Sequence, residues 1–432
     1  MSLDLVFYGD DFTGSTDALE VLARSGIDTV LFLAQPDAPT LASFSRCRAI
    51  GLAGASRSQS PAWMDEHLGP AFAWMKSLGA RLNHYKVCST FDSSPGIGSI
   101  GHAIELGIRE FAVPFVPLLV GAPALRRYVV FGNLFATANG ETYRIDRHPT
   151  MSRHPVTPMD EGDLRLHLGR QTAKQIGLID LLALEGGYGA ARLSDVLRAG
   201  AEIALFDTLG ANSLAQAGDL LWNRSPVPQA FVAGSSGVEY ALTAFWRSER
   251  LTGAGQGAGI QPRLAVLSGS CSPGTAEQIR WAGAHGYTLI KLDPAALAAE
   301  NGHAAESARA LEEAAAAAAQ ARNIVLYSAA SPEDRAPLDA PGRERLARRS
   351  GAILDTLLTR TGIGRVVIAG GDTSSHAGPA LNLSALTFLA PLAPGAPLCR
   401  ASSPDPARDG LEIVFKGGQC GGPDFFEQVR KG

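Results

Sequence analysis

The feature that most constrains the fold of this chain is a regular alternation of short apolar runs with segments of helical periodicity. In the first half, runs such as LDLVFYGDD and LNHYKVCST alternate with helical patterns such as TGSTDALEVLARSG. This alternation is typical of strands joined by crossover helices, and it resumes after residue 262. The pattern predicts an α/β protein of two domains, each a mostly parallel sheet flanked by helices, with a cleft between them.

One segment separates the two halves. Residues 247–262, RSERLTGAGQGAGIQP, are rich in glycine and polar residues and lack apolar periodicity, as linkers do. A chain of 432 residues is also too long for one ordinary core. We expect domains at 1–246 and 263–432, joined by a linker at 247–262.

A second irregular segment, at about residues 130–165, interrupts the alternation inside the first half. It contains the sequence ANGE, which predicts a hairpin, followed by a stretch rich in proline, histidine and arginine. Insertions of this kind often cover a binding site.

Composition narrows the class of partner. The formal net charge is −4 and only 19% of the residues are charged, which argues against a nucleic-acid surface and against a polybasic membrane patch. The N-terminus has no basic region followed by a long apolar stretch, as a signal peptide would have, and no segment reaches the roughly 18 apolar residues of a membrane span. We expect a cytoplasmic protein with a small-molecule partner, no nucleic acid and no membrane.

Cysteine and histidine patterns predict no metal site. The histidines at 148, 154 and 376 are widely dispersed. The five cysteines are scattered and include no CxxC pair: Cys47, Cys88, Cys271, Cys399 and Cys420. Neither a disulfide framework nor a zinc site is indicated, and a reducing compartment fits best.

Three glycines, Gly96, Gly98 and Gly101, have the spacing of a dinucleotide fingerprint. The context of that fingerprint is missing, because these glycines follow the third or fourth strand, and a FDSSP loop separates them from it. No acidic residue for a ribose stands at the expected distance. The sequence therefore argues against NAD binding here.

Ligands of open α/β sheets bind beyond the carboxyl ends of strands, so the strand ends hold the candidate site residues. Asp10 and Asp11 end the first strand, where they could cap a helix or remove a proton from a hydroxyl. Arg57 follows another strand and suits bidentate binding of a carboxylate, although an ordinary exposed arginine is equally compatible with its position. A further strand end supplies the remaining candidates for substrate binding: Lys86, Ser89, Thr90 and Asp92.

The second half has three strand ends rich in glycine and hydroxyl residues, LSGSCSPGT, AGGDTSSHAG and FKGGQCGG. Backbone amides in such loops can bind phosphates, although tight turns are the alternative, and none of the loops matches the P-loop motif. The candidate nucleotide-binding residues are Ser268, Ser270, Gly370, Gly371, Asp372, Thr373, Ser374, Lys416, Gly417 and Gly418.

The motifs GDDFTGSTDA, GSCSPGTAEQI, AGGDTSSHAGPAL, LAPLAPGAPLCRA and FKGGQCGGPDFF together resemble the signatures of the four-carbon acid sugar kinase family. The resemblance implies an N-terminal domain for the acid sugar, a C-terminal domain for ATP, and phosphorylation of a hydroxyl of a tetronate or 3-oxo-tetronate. The positions that match the family's sites are Asp10, Asp11, Arg57 and Lys86 on the sugar side, and Ser268, Gly370, Gly371, Asp372, Thr373 and Gly418 on the nucleotide side.

The resemblance implies a kinase that uses ATP with Mg²⁺, the usual partner of phosphates in phosphoryl transfer. Arg57 and Lys86 would hold the acid, Asp10 or Asp11 would accept the hydroxyl proton, and Lys416 with the glycine loops would hold ATP. An NAD-dependent dehydrogenase and a non-catalytic sugar-acid-binding protein are the alternatives. Assembly into a homo-oligomer is left open.

The chain departs from the family in one loop. Where members of the family resemble KxDSTLRGN, this chain has KVCSTFDSS, so that Cys88 replaces an aspartate and Asp92 occupies the position of an arginine. An anion there would repel a carboxylate and accept hydrogen bonds from hydroxyls. We expect a substrate with differently placed hydroxyls, such as a branched 3-oxo acid of the isoapionate kind.

Overall fold

The computed structural model describes residues 3–138, 140–154, 156–224, 227–246, 258–330, 334, 336–418 and 420–432, without the side chains of Ala340 and Asp372. The strands of these residues are β1 (Leu5–Gly9), β2 (Thr29–Phe32), β3 (Ala49–Ala53), β4 (Leu82–Lys86), β5 (Val116–Leu119), β6 (Arg127–Val130), β7 (Asn133–Ala138), β8 (Glu141–Arg144), β9 (Ile176–Ile179), β10 (Ile203–Phe206), β11 (Ala230–Gly234), β12 (Ala265–Ser268), β13 (Thr288–Lys291), β14 (Ile324–Tyr327), β15 (Arg365–Ala369), β16 (Ala385–Ala393), β17 (Ala396–Ser402) and β18 (Glu412–Lys416).

Helices separate most of these strands, as the alternation predicted. They are α1 (Phe12–Arg24), α2 (Ala38–Ser43), α3 (Pro61–Ser77), α4 (Ile100–Phe111), α5 (Leu164–Leu168), α6 (Leu181–Glu185), α7 (Gly189–Arg198), α8 (Ala211–Asn223), α9 (Gly237–Trp246), α10 (Pro273–Ala284), α11 (Pro294–Ala298), α12 (His303–Ala319), α13 (Ala340–Thr361), α14 (Gly371–Ala377) and α15 (Phe425–Lys431). In the part of the chain that the structure describes, no helix combines the length and the apolar character that a membrane crossing requires.

The described residues group into two compact units that do not follow the chain as two uninterrupted halves. The first unit takes its residues from Met1–Asp10, Val21–Thr29 and Asp37–Gly253, and the second from Asp11–Glu20, Val30–Pro36 and Ala254–Gly432. Of the predicted linker, residues 247–257 lie outside the described residues. The domain boundaries at 246 and 263 therefore stay a prediction, and a fragment that began at residue 263 would lack Asp11–Glu20.

The first unit is built on a parallel sheet with the strand order β3-β1-β4-β11-β5-β10-β9. Strands β1, β3 and β11 are buried and apolar, as is usual for parallel strands covered by helices. The central strand β4 (LNHYK) is the exception, because it buries Asn83, His84 and Lys86. The last residues of these strands lie in register, Gly9 between Ala53 and Lys86, and Lys86 beside Gly234. Four carboxyl ends of strands therefore meet along one edge.

The predicted insertion forms a separate antiparallel sheet of β6, β7 and β8. Ala138 at the end of β7 pairs with Glu141 at the start of β8, which confirms the predicted hairpin. Residue 139 lies outside the described residues. The carboxylate of Asp207 accepts bonds from the amides of Phe131 (2.6 Å) and Gly132 (2.9 Å), between β6 and β7. Burial raises the pKa of Asp207 to about 6.

The second unit has a parallel sheet of the order β13-β14-β12-β15-β18, extended by antiparallel strands β17, β16 and β2. Ala385 pairs with Phe32, so that residues of β2 complete this sheet. At its parallel edge, Ser268, Ala369 and Lys416 lie in register. The predicted mostly parallel α/β architecture is confirmed, with the antiparallel strands as the exception.

Candidate functional site

The candidate substrate residues of the first unit lie at adjoining strand ends. Asp10 follows β1, and its amide donates to the carbonyl of Lys86 at the end of β4 (2.9 Å). Arg57 lies in a short 3-10 turn after β3, and its amide donates to the carbonyl of Asp10 (3.1 Å). Parallel pairing and these two bonds bring together three residues that are up to 76 positions apart in the sequence.

Asp10 and Arg57 form a bidentate ion pair. Arg57 Nε donates to Asp10 Oδ2 (3.1 Å), and Arg57 Nη2 donates to Asp10 Oδ1 (2.8 Å). Asp10 is buried and the side chain of Arg57 is 24% exposed. Such a pair fixes the plane of the guanidinium. Because both carboxylate oxygens of Asp10 are bonded to Arg57, Asp10 is positioned to orient this cation.

The loop after β4 holds the other predicted substrate residues. Thr90 Oγ1 donates to Asp92 Oδ1 (2.5 Å), so the hydroxyl of Thr90 accepts the bond of 2.9 Å from the Cys88 thiol. The pKa of the Cys88 thiol is raised, mainly because the thiol is buried. The charge of Asp92 also raises it, whereas the charges of Arg57 and Lys86 lower it. The structure thus brings both cations and Asp92 close to Cys88, and half-buried Ser89 lies in the same loop.

Two of the three glycines of the rejected fingerprint, Gly98 and Gly101, lie at close backbone contacts next to this loop. A side chain on Gly98, whose φ is +61°, would place its Cβ 2.3 Å from the carbonyl oxygen of Arg57. A side chain on Gly101 would approach the backbone of Gln171 to 2.7 Å, whereas Gly96 meets nothing within 4 Å. Two of the glycines therefore permit close approach of backbone segments to the loop after β4.

Sequence reasoning missed a polar cluster that supports the same loop. Ser93 Oγ lies 3.1 Å from Nε2 of His167, and Gln171 Nε2 donates to Ser93 Oγ (2.8 Å). Burial lowers the pKa of His167, which favours its neutral form, while the nearby charge of Asp92 acts in the opposite direction. His167 and Gln171 are more than 70 positions from the loop, and no spacing in the sequence indicates this contact.

Asp11 differs from Asp10 in its surroundings. Its Oδ1 accepts the amide hydrogen of Gly14 (2.7 Å) at the start of α1, which confirms that it caps this helix. Its Oδ2 lies 3.3 Å from the position that a Cβ on Gly371 would occupy. Asp11 therefore lies next to a predicted nucleotide-binding glycine. Both residues belong to the second unit.

The three predicted nucleotide loops of the second unit contact one another. A Cβ on Gly269 would lie 2.2 Å from the hydroxyl of Thr373. A Cβ on Gly418 would lie 2.6 Å from Cβ of Ser272 and 2.9 Å from the hydroxyl of Ser270. The loops after β12, β15 and β18 therefore pack at the shared edge of the sheet, and glycine is required at these contacts.

Hydroxyl groups without partners mark this edge as polar. Ser268 Oγ and Ser272 Oγ are buried and have no hydrogen-bond partner among the described residues. A buried polar group normally has a partner, so these hydroxyls are suited to the oxygens of a ligand. Ser374 is different, because its hydroxyl donates back to the carbonyl of Ile368 (3.4 Å). The side chain of Asp372 lies outside the described residues.

Lys416, at the end of β18, is the cation of this edge. Its side chain is fully buried, and Nζ donates to Thr275 Oγ1 (3.0 Å) and lies 5.9 Å from the centre of the Phe425 ring. Burial lowers the pKa of Lys416 to about 8. A buried ammonium with so few polar neighbours is costly, and an anion such as a phosphate would offset that cost.

Comparison with known families agrees with this division of polar sites. Residues 5–242 match the family described as sugar-binding N-terminal domain, and residues 265–426 match the family described as nucleotide-binding C-terminal domain. The first match covers the residues from Asp10 to Asp92, and the second covers those from Ser268 to Gly418. In the part of the chain that the structure describes, no group of three or more His, Cys, Asp or Glu side chains could hold a metal ion.

Characterised relatives extend over the whole chain. A 3-oxo-isoapionate kinase of Paraburkholderia graminis is 47% identical over 99% of this chain and 94% of its own length. A 3-oxo-tetronate kinase of Methylobacterium radiotolerans is 32% identical, covering 99% of this chain and 98% of its own length. A 3-oxo-tetronate kinase of Cupriavidus necator is 30% identical, covering 97% of this chain and 95% of its own length.

Two crystal structures resemble the fold. A protein of Salmonella typhimurium LT2 has a TM-score of 0.77 at 25% identity, with 99% of both chains covered. A protein of Haemophilus influenzae has a TM-score of 0.70 at 22% identity, with 98% of this chain and 99% of that chain covered.

The buried ammonium of Lys416 predicts a pH dependence of stability. Since its folded-state pKa of about 8 lies below the ordinary lysine value, the unfolded chain binds the additional proton above pH 8, and stability rises with pH there. The variant Lys416→Met lacks this titration. We expect the unfolding free energy of the wild type, relative to Lys416→Met, to rise by roughly 1–2 kcal/mol from about pH 7.5 to 9.5.

Urea unfolding of both proteins at several pH values measures this difference. Lys431→Met is the control, because the side chain of Lys431 is 61% exposed. Its stability relative to the wild type should stay constant across the same range. A constant difference for Lys416→Met as well would show that Lys416 does not titrate there.

Proposed function

We propose that this chain phosphorylates a branched 3-oxo acid of the isoapionate kind. The chain belongs to the family of acid sugar kinases with a sugar-binding N-terminal and a nucleotide-binding C-terminal domain, and it is an ATP-dependent kinase of a small acid sugar. The observation that carries this proposal is the identity of 47% to a 3-oxo-isoapionate kinase, against 32% and 30% to 3-oxo-tetronate kinases, all over nearly the whole chain. The acidic Asp92 in the substrate loop supports the same conclusion.

In this proposal Arg57 and Lys86 hold the carboxylate of the substrate. Arg57 lies in the turn after β3 and Lys86 ends β4, the strands on either side of β1. Asp10 holds the guanidinium of Arg57 in a fixed plane. A preorganised bidentate donor binds a planar carboxylate with little loss of side-chain entropy. The carboxylate of Asp92, which Thr90 holds in place, would accept hydrogen bonds from the hydroxyls of the substrate.

The nucleotide is bound, in this proposal, by the loops after β12, β15 and β18. The partnerless hydroxyls of Ser268 and Ser272 would donate to phosphate oxygens, and the ammonium of Lys416 would neutralise part of the phosphate charge. Mg²⁺ fits such a site, because it takes most of its ligands from phosphates and water and needs few protein carboxylates. When bound, Mg²⁺ would neutralise charge on the phosphates.

We assign the role of general base to Asp11. Its carboxylate lies next to Gly371 in the unit that holds the nucleotide loops, whereas both oxygens of Asp10 are bonded to Arg57. In the reaction, a substrate hydroxyl oxygen forms a bond to the γ-phosphorus of ATP and its proton moves to Asp11. The bond from the γ-phosphorus to the bridging oxygen breaks, and ADP leaves.

This proposal includes three further statements. Residues 1–246 bind the acid and residues 263–432 bind the nucleotide, the protein is cytoplasmic, and it assembles into a homo-oligomer. The first is supported by the boundaries of the two family matches, at 242 and 265. Gel filtration at several concentrations measures the oligomeric state.

The proposed activity predicts ADP release that depends on both Mg²⁺-ATP and the acid. We expect the catalytic efficiency, kcat/KM, to be highest for 3-oxo-isoapionate, lower for 3-oxo-tetronates and lowest for threonate. A coupled ADP assay across this panel measures the order, with a parallel assay for NADH. Turnover of NAD without ADP release would contradict the kinase, and a preference for threonate would contradict the branched substrate.

Asp92 predicts a selective loss on mutation. Asp92→Asn keeps the size of the side chain but removes its charge, so we expect a loss of roughly 1–3 kcal/mol of transition-state binding for the branched acid. The loss should be smaller for a tetronate that lacks the matching hydroxyl. Asp65→Asn, at an aspartate of α3 that is 56% exposed, is the matched control and should leave kcat/KM unchanged. Equal losses for all acids would show that Asp92 does not set specificity.

The two aspartates predict different kinetic defects. Loss of a general base costs about 10²–10⁴ in rate, so Asp11→Asn should lower kcat to that extent with little change in the KM for the acid. Asp10→Asn should chiefly raise the KM for the acid, because Arg57 loses its bidentate partner. Steady-state kinetics of both variants measures this split, and the reverse pattern would make Asp10 the base.

A further inference from the structure

We propose that Thr275 and Gln278 of α10 are positioning residues for the nucleotide. They hold Lys416 and the described residues of the glycine loop after β18 (417–418 and 420–422) in the geometry that binds phosphate. This inference rests on the proposed function. Neither residue is among the predicted binding residues, although both belong to the motif GSCSPGTAEQI. They are three positions apart and therefore project from one face of the helix.

Thr275 connects Lys416 to the glycine loop. Its hydroxyl donates to the carbonyl of Gly418 (2.9 Å), and Nζ of Lys416 donates to the same hydroxyl (3.0 Å). A hydroxyl has one hydrogen and two lone pairs, so both bonds are made at once and each has a fixed direction. Thr275 and Lys416 are buried, so these bonds are shielded from bulk solvent. The position of the ammonium is therefore tied to that of the loop.

Gln278 holds the next part of the loop. Its Nε2 lies within hydrogen-bond distance of three consecutive carbonyl oxygens, those of Cys420 (2.9 Å), Gly421 (3.1 Å) and Gly422 (3.1 Å). The side chain is almost fully buried. The side-chain amide nitrogen of Gln278 therefore bonds to the backbone of this loop.

These contacts set the polarity of the loop. In a trans peptide, the carbonyl and the following N–H point in opposite directions. Since the carbonyls of Cys420 and Gly421 point at Gln278, the N–H groups of Gly421 and Gly422 point away from α10. Carbonyl oxygens repel phosphate and N–H groups attract it. The carbonyls of Cys420 and Gly421 face α10, so the N–H groups of Gly421 and Gly422 are left on the opposite side of the loop for phosphate.

Lys416 depends on the same arrangement. Among the described titratable groups, Cys420 of the same loop acts on this ammonium, and the charge of its ionised form raises the pKa of Lys416. The ring of Phe425 also lies next to the ammonium. Thr275→Val keeps the shape of the side chain but removes the acceptor for Lys416 and the donor for Gly418. Thr275→Ser retains both.

Calorimetric titration of the full chain with Mg²⁺-ATP, and separately with the acid substrate, tests the inference. We expect Thr275→Val to raise the Kd for ATP about tenfold, which corresponds to about 1.4 kcal/mol, and to leave the Kd for the acid unchanged. Thr275→Ser should restore ATP binding to within about twofold of the wild type. Gln278→Met should also weaken ATP binding. Thr356→Val, at an exposed threonine of α13, is the matched control.

The pH profile separates positioning from a general loss of structure. Removing the acceptor for Lys416 disfavours its charged form, so the loss of ATP affinity at high pH should begin at lower pH in Thr275→Val than in the wild type. Thr275→Ser should keep the wild-type profile.

Each remaining outcome is decisive. A wild-type chain that binds the acid but not ATP would overturn the proposed function. A wild-type chain that binds ATP, with Thr275→Val equal to it in affinity and pH profile, would overturn the inference alone. Parallel loss of ATP binding, acid binding and thermal stability in Thr275→Val, without a shifted pH profile, would show a merely structural role and would overturn it as well.

Discussion

Parallel pairing of strands in register is the constraint on which both polar sites of this protein depend. Each parallel strand must be followed by a crossover, so every strand in such a sheet ends at the same edge. In the first unit this rule places the ends of β3, β1, β4 and β11 side by side, and in the second unit it aligns Ser268, Ala369 and Lys416. The sites are thus consequences of the sheets and need no separate scaffold.

The charges of the two cations, Arg57 and Lys416, are compensated in different ways. Arg57 receives a carboxylate from within the protein, and the bidentate pair with Asp10 compensates its charge. Lys416 is buried more completely, yet the described acceptor of its ammonium is the neutral hydroxyl of Thr275. An ammonium in such surroundings destabilises the folded protein at neutral pH. Stability of this kind is commonly given up at functional sites, where a ligand supplies the missing charge.

Adjacent residues of the sequence serve different units. Asp10 is bonded to Arg57 in the first unit, whereas Asp11 caps α1 and lies beside Gly371 in the second. β1 ends at Gly9 and α1 begins at Phe12, so the two aspartates occupy the turn between this strand and this helix.

The sequence by itself determined the α/β architecture, because apolar runs and helical periodicity are local patterns that follow directly from burial. It also determined the polar strand ends, and the hairpin at ANGE, since both are set by neighbouring residues. Only the tertiary structure decided which distant residues meet. It places Arg57 in bidentate contact with Asp10, and it brings His167 and Gln171 to the loop after β4. It also bonds Thr275 and Gln278 to the loop after β18. Such contacts join residues far apart in the chain, and their partners are selected by strand order and register, which no local pattern encodes.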